Sequence, residues 1–353
     1  MTLVAWWIWD NDLWCAADTR ISREDESTVS DTGAKIFLIP VSYGIDQEKL
    51  EHFTLGFSFA GATLPAQNTH AIASTLCQML RAEHAGVVPS AKTVATVYAK
   101  VAEHVLRDIN SRLPLDRAQR FEGIVFGFCP IEARLKAFEL FPKIGPHSFT
   151  VDIIECSPVS GNVRGIGSGA QEFDRQLDLK NNIGENRRVL DAFMSVISGD
   201  AVRSVGGYPQ IAIARQSGVE LAMLLSQDDE NPDLAAPMVN GFNTKLIGGL
   251  EGFSLGFKAL GLGVERVRGR MALRAKGLDP DDAAIHQSFK NTAAFEAALK
   301  ELGDRAKDTS LVISEKYTLA PPIGEVGRWY YGARCACGQL EVDPGCETAG
   351  AVF

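Results

Sequence analysis

Three residues near the start of the chain, Thr2, Asp18 and Lys35, are of the types that could carry out a hydrolysis together. A threonine hydroxyl is a poor nucleophile until a base takes its proton. If Met1 is removed, which a small second residue favours, Thr2 carries that base itself. Its free α-amine titrates near ~7.7–8 and sits on the adjacent carbon. The amine must be neutral to act, and a nearby cation both favours the neutral form and attracts the developing alkoxide. Lys35, at the start of an apolar run after a polar loop, can supply that charge. Asp18 stands in "CAADTR" beside Cys15, Ala16 and Ala17, where a carboxylate is costly to bury unless it is paired. Taken singly, Asp18 also suits a surface position and Lys35 a strand edge.

The elements that must position these groups follow from hydrophobic periodicity. Alternating runs predict strands at 3–9, 13–21, 35–40 and 53–60. From Ala62 the period changes: Ile72, Leu76, Met79 and Leu80 predict a helix with that apolar face, ending near Gly86. Val94, Val97, Val101, Val105 and Leu106 predict a second helix, ending before Pro114. Strands return at 121–128, 135–141, 149–154 and 163–166, helices at 170–180 and 186–197, and strands at 210–215 and 219–225. Hairpin strands interleaved with helix pairs fit an α+β fold, a four-layer αββα sandwich of two antiparallel sheets covered by helices, over residues 2–226.

Gln227–Pro237 is acidic and polar and reads as a linker to an extension over 227–353, with a Gly-rich stretch, a helical 264–304 and a Gly/Cys-rich tail. No Gly-Lys-Ser/Thr follows Gly248, Gly249, Gly252 and Gly256, so turns or close packing are expected there rather than a phosphate loop.

"TLVAWWIWDNDLWCAADTRIS", with "GAKIF" following, resembles the opening of proteasome β subunits and of their bacterial HslV-type and Anbu-type relatives. The resemblance covers about residues 2–226 and implies an N-terminal-nucleophile (Ntn) hydrolase. In it Thr2 is nucleophile and base, Asp18 and Lys35 form the activating pair, Arg20 supports Asp18, and Ser22 offers backbone contacts to an extended substrate. "FAGATLPAQNTHAI" resembles the family's passage into its first long helix, which makes the Gly61 amide the oxyanion donor. "GIGSGAQEF" resembles its Gly-Ser-Gly turn, which places Ser168 near the Thr2 amine; Ser168 also suits a helix N-cap. "GDAVRSVGG" resembles its Asp-x-x-Ser-Gly-Gly segment with one residue more, giving supporting roles to Asp200 and Ser204.

Composition narrows the function classes. The formal net charge of −9 argues against nonspecific nucleic-acid binding. Arg266, Arg268, Arg270, Arg274 and Lys276 recur at helical spacing near acidic residues, as on a solvated helix face. No apolar run approaches the ~20 residues of a spanning helix, and Asp10 and Asp12 break any signal-peptide pattern, so a cytoplasmic protein is expected. Cys15, Cys77, Cys129 and Cys156 look like buried thiols. Cys335, Cys337 and Cys346 fall one short of the four ligands of a structural zinc, and nothing singles out His286 as the last. His70, His84 and His104 lack paired metal-ligand spacing and read as surface or rim residues. No metal and no organic cofactor are expected.

The expected function is a threonine-type endopeptidase acting on peptides or unfolded protein. The resemblance implies a homo-oligomer, ring or helical, and allows an ATP-dependent unfoldase partner. An amidohydrolase of small amides would use the same Thr2 machinery. A noncatalytic shell subunit would keep Met1 and need no Asp18–Lys35 pair. The extension is expected to serve access, assembly or docking, with Trp329, Tyr330 and Tyr331 packing against a domain or neighbouring subunit.

Overall fold

The computed structural model of the chain describes residues 2–23, 25–44, 50–84, 86–113, 118–144, 149–180, 185–227, 235–247, 258–260 and 329–330. The chain divides into two compact units, Met1–Leu221 and Ala222–Phe353. The first begins with β1 (Val4–Trp9), β2 (Asp12–Asp18), β3 (Ile21–Ser22), β4 (Thr28–Ser30), β5 (Ile36–Gly44) and β6 (Glu51–Gly61). Next come α1 (Thr63–Cys77), β7 (Leu80–Arg81), α2 (Ala91–Asn110), β8 (Phe121–Cys129), β9 (Arg134–Ile144), β10 (Phe149–Cys156) and β11 (Arg164–Ile166). Helices α3 (Ala170–Leu179) and α4 (Glu185–Ser198) precede β12 (Pro209–Arg215), and β13 (Gly218–Gln227) runs across the division.

Two sheets organise the first unit. One has the order β11-β1-β2-β12-β13, the other β10-β9-β8-β6-β5-β7. The β1–β2 hairpin turns at Asp10 and Asn11, with φ of 50° and 60°. A type I′ hairpin turn needs positive φ at both central positions, and Asp and Asn tolerate it. Alternation then sorts the faces. Val4 and Trp6 of β1 and Cys15 and Ala17 of β2 meet Ile124 and Phe126 of β8 and Ala137 of β9 in one buried cluster, which joins the two sheets. Leu55, Phe57 and Phe59 of β6 point the other way and pack with Val94, Tyr98, Ala102 and Val105 of α2. Each such side chain fully removed from water contributes ~1.5–3 kcal/mol. Helices α3 and α4 pair through Phe173 and Phe193, ring centroids 6.3 Å apart.

Three expectations need correction. The first helix ends at Cys77; Leu80 and Arg81 instead pair in parallel with Tyr43 and Gly44 as β7. Its buried side is Pro65, Ala66, Thr69, Ala73, Ser74 and Cys77, whereas Leu64, Ile72, Leu76 and Met79 are exposed. Small residues let α1 approach its neighbours closely, so size and not hydrophobicity selects the inner face. The second strand stops at Asp18 rather than running to Ile21, because the Arg20 N–H turns to the Asp18 carboxylate and the Thr19 carbonyl accepts from Gly33 N–H. His70 is half-buried and hydrogen-bonded to Tyr98 Oη at 2.9 Å, stacked on Phe37 and Phe57. Burial pushes its pKa down to about 4, so it is neutral at physiological pH. His84 and His104 are exposed. Cys15, Cys77, Cys129 and Cys156 are free and buried.

In the second unit, part of the expected linker is a strand. β14 (Ala235–Val239) pairs with β13, Gln227 opposite Ala235 and Leu224 opposite Met238, and β15 (Phe242–Asn243) follows it. β16 (Lys258–Leu260) runs parallel to β13 and pairs with β17 (Trp329–Tyr330). The glycines at 248–256, the basic helix, His286, Tyr331 and the three tail cysteines lie outside the described residues.

Candidate active site

β1 and β2 bring Asp18 beside the backbone of residue 3. The two strands pair with Val4 opposite Ala17, and the Leu3 N–H donates to Asp18 Oδ1 at 2.9 Å. The same oxygen accepts from Lys35 Nζ at 2.8 Å. Asp18 Oδ2 accepts from the N–H groups of Arg20 and Gly206, at 3.2 and 3.1 Å. Four donors thus converge on one carboxylate that is 0% exposed. Such satisfaction is what a buried charge requires.

Lys35 is 1% exposed. Gln210, buried on β12, fixes the chain there: its Oε1 accepts from the N–H groups of Lys35 and Ile36, both at 2.9 Å, and its Nε2 donates to Ile36 O at 2.8 Å. Burial holds the Lys35 pKa below the ordinary lysine range, while the charge of Asp18 and its hydrogen bond pull it back up. Arg20 adds to the lowering and Asp31 opposes it.

The turn from Gly167 to Gly169, between β11 and α3, grips Thr2. The Thr2 N–H donates to Ser168 Oγ at 3.1 Å, and the Thr2 carbonyl accepts from Gly169 N–H at 3.3 Å. Ser168 Oγ lies 3.5 Å from Ser204 Oγ, and Ser204 is buried. Ser168 does not cap α3; that position falls to Gly169, and no side chain caps the helix. Gly167 has φ +91°, and a Cβ there would overlap the Thr2 carbonyl and come within 2.7 Å of Ala60 Cβ. Gly167 thus packs against both Thr2 and Ala60 near the end of β6, with Gly61 next in the chain. Gly61 has φ +114°, and a side chain would strike the Arg120 carbonyl. That carbonyl accepts from Ala62 N–H at 2.7 Å.

The remaining site residues are placed differently from one another. The Arg20 guanidinium does not reach Asp18 in a hydrogen bond. Its Nε donates to Asp31 Oδ1 at 2.7 Å and its Nη1 to the Arg203 carbonyl, so it supports Asp18 by its backbone N–H and, through space, by its charge. Asp200 is exposed and acts through space on the Arg20 charge. Ser22 lies on β3, opposite Thr28 of β4.

Three contributors escaped the sequence analysis. Asp31 and Thr19 share one polar corner: Thr19 Oγ1 donates to Asp31 O and accepts from Tyr208 N–H. Nothing in the loop around Asp31 marked it. Gln210 did carry a signal, a polar residue inside an apolar strand, which is the same sign that drew attention to Asp18. Among the described residues no three His, Cys, Asp or Glu side chains gather as a metal site, and no helix is long and apolar enough to cross a membrane.

The chain aligns with two solved structures. The Gly-1 mutant of Anbu from Hyphomicrobium sp. strain MC1 aligns with a TM-score of 0.43 at 16% identity, over 63% of this chain and 85% of that one. The helical assembly of the Anbu complex from Pseudomonas aeruginosa aligns with a TM-score of 0.42 at 16% identity, over 62% and 85%. No family model and no curated protein matches the chain.

Proposed function

We propose that the chain is an N-terminal-nucleophile hydrolase of the threonine type, a peptidase built on a four-layer αββα sandwich. The observation that carries this proposal is the enclosed Asp18–Lys35 pair, tied at 2.9 Å to the N–H of the residue after Thr2. A buried ion pair seldom stabilises a fold better than apolar side chains would, so its presence against the backbone next to Thr2 favours a chemical use.

With Met1 removed, the Thr2 nitrogen becomes an amine held by Ser168. Thr2 Oγ1 attacks a peptide carbonyl carbon and its proton passes to that amine. The Gly61 N–H receives the tetrahedral oxyanion, whose charge the Lys35 ammonium also stabilises. Collapse breaks the C–N bond, and the leaving amine takes the proton from the α-ammonium. Water, deprotonated by the α-amine, then cleaves the acyl ester and frees Thr2. The chain works as an assembly of its own copies; Anbu from Pseudomonas aeruginosa forms a helical assembly.

The test is chemical. A peptide epoxyketone captures a hydroxyl and an α-amine on neighbouring carbons. The purified full chain should show an intact mass lacking one methionine and should form a single adduct at Thr2, with matching loss of peptide hydrolysis. Active protein that retains Met1 excludes this mechanism.

A further inference from the structure

The segment from Arg203 to Tyr208 supplies the site with two groups. The Gly206 N–H donates to Asp18 Oδ2 at 3.1 Å. The buried Ser204 hydroxyl lies 3.5 Å from the Ser168 hydroxyl, which accepts from the Thr2 nitrogen. This segment lies between α4 and β12 and belongs to neither, so other contacts must hold it.

Arg20 provides them. Its N–H donates to the Gly206 carbonyl at 3.0 Å, and its Nη1 donates to the Arg203 carbonyl at 3.2 Å. Its guanidinium lies against Gly206, where a Cβ would come within 2.5 Å of Arg20 Cζ. Asp31 grips that guanidinium in turn, accepting from Nε at 2.7 Å on Oδ1 and from Nη2 at 3.3 Å on Oδ2. A two-point fork fixes the plane of the guanidinium as well as its position. The Asp31 backbone reaches the same segment. Its carbonyl accepts from Thr19 Oγ1 at 2.6 Å, and that hydroxyl accepts from the Tyr208 N–H at 2.7 Å. Gly207, at φ +74°, packs on this corner; a Cβ there would stand 2.7 Å from both the Asp31 carbonyl and Thr19 Oγ1.

We propose that Asp31 is a positioning residue of the active site. Through Arg20 it sets where Arg203–Gly206 stand, and so whether Gly206 meets Asp18 and Ser204 meets Ser168. That role rests on Thr2 being the nucleophile. The Arg20 and Asp31 side chains are 26% and 40% exposed, and ion pairs so open to water contribute little to folding. The pair is therefore suited to holding a loop in place rather than to supporting the core. Lysine could not replace Arg20, because an ammonium lacks the fork that engages Asp31 and the Arg203 carbonyl together.

The experiment measures Thr2 labelling by the peptide epoxyketone on the full chain, separating the maximal rate from the concentration for half-saturation. Misplacement of a reacting group by ~1 Å costs up to about a hundredfold, so Asp31→Ala should lower the maximal rate about tenfold. Half-saturation should stay within about twofold, as when binding is untouched and only reacting groups are displaced. The urea midpoint should stay close to that of the wild type. Arg20→Lys should reproduce the loss. The double variant should lose no more than either single one, because both changes break the same chain of contacts. A wild-type maximal rate in Asp31→Ala overturns the proposal, as does a loss that the unfolded fraction accounts for. A loss carried by half-saturation, or a double variant whose losses multiply, overturns it too. If Asp31→Ala does not fold, Asp31→Asn keeps the side chain's shape and removes the second acceptor of the fork; a wild-type maximal rate in it then overturns the proposal. Absence of any Thr2 adduct in the wild type is a different result, which removes the nucleophile assignment itself and the positioning role with it.

Discussion

Two lysines of the first unit are almost fully buried, and they are buried in opposite ways. Lys35 is enclosed together with its counter-ion, side chains 1% and 0% exposed. Lys136, on β9, has a side chain 4% exposed, yet its ammonium meets Glu132 and Glu155, which are 36% and 44% exposed. Lys136 thus buries its stem and delivers its charge to the rim, where two carboxylates stay hydrated. The pKa shifts follow. Burial alone would lower both, but the hydrogen bonds that Lys136 donates to Glu132 and Glu155, with their charges, outweigh it and raise that pKa, whereas at Lys35 burial prevails. One lysine is arranged to keep its proton and the other to hold it less firmly. Only the second sits one carboxylate oxygen away from the backbone next to Thr2.

The most severe way to break this contrast is to remove either half of the enclosed pair. Lys35→Ala leaves Asp18 charged without its cation, and Asp18→Asn leaves the Lys35 ammonium without its anion. Either should cost about 3 kcal/mol or more in urea unfolding, because a buried charge loses its partner. Thr2 labelling should fall by about a hundredfold to a thousandfold, the range for losing one preorganised electrostatic group. Near-wild-type labelling by Lys35→Ala would sink its assigned role.

A milder change tests whether Lys35 depends on its setting as well as its partner. Gln210→Ala strands two N–H groups and one carbonyl at residues 35 and 36. Unfolding should become easier by about 2 kcal/mol, the cost of buried groups left unsatisfied. Labelling should slow about tenfold through misplacement of the ammonium.

The smallest effect belongs to the other lysine. Lys136→Met keeps the buried stem and removes the rim charge, so it should cost no more than about 1 kcal/mol. Thr2 labelling should stay within about twofold. Its pH dependence gives the sign: a lysine whose folded pKa is raised stabilises below its unfolded value of ~10.4 and loses that contribution as pH rises through the folded value. The stability gap between wild type and Lys136→Met should therefore close above about pH 10.4. Lys35 has the opposite sign. Its folded pKa is lowered, so its deprotonation adds stability as pH climbs from the folded value to the unfolded one.

How the sequence and the fold share the determination is plainest at Asp18. Its carboxylate among Cys15, Ala16 and Ala17 already implied a buried partner, since strand alternation placed it and water could not. The longer strands of the first unit were legible for the same reason, because a period of two leaves a local trace, which the two-residue β7 is too short to give. Helix α1 misled in its inner face: Ile72, Leu76 and Met79 form the apolar stripe, yet close packing selected Ala66, Ala73 and Cys77. The Arg20 partner was missed because a guanidinium near two carboxylates, Asp18 and Asp31, is assigned by geometry, and the corner made by Thr19 and the Asp31 backbone favours Asp31. The types and order of Thr2, Asp18 and Lys35 were fixed locally. Their enclosure was decided by Ser168 on Thr2 across 166 positions, Gly206 on Asp18 across 188 and Gln210 on Lys35 across 175. Hydrogen bonds over such separations leave no periodic mark in the chain, and they form only once strand pairing and packing have brought distant segments together.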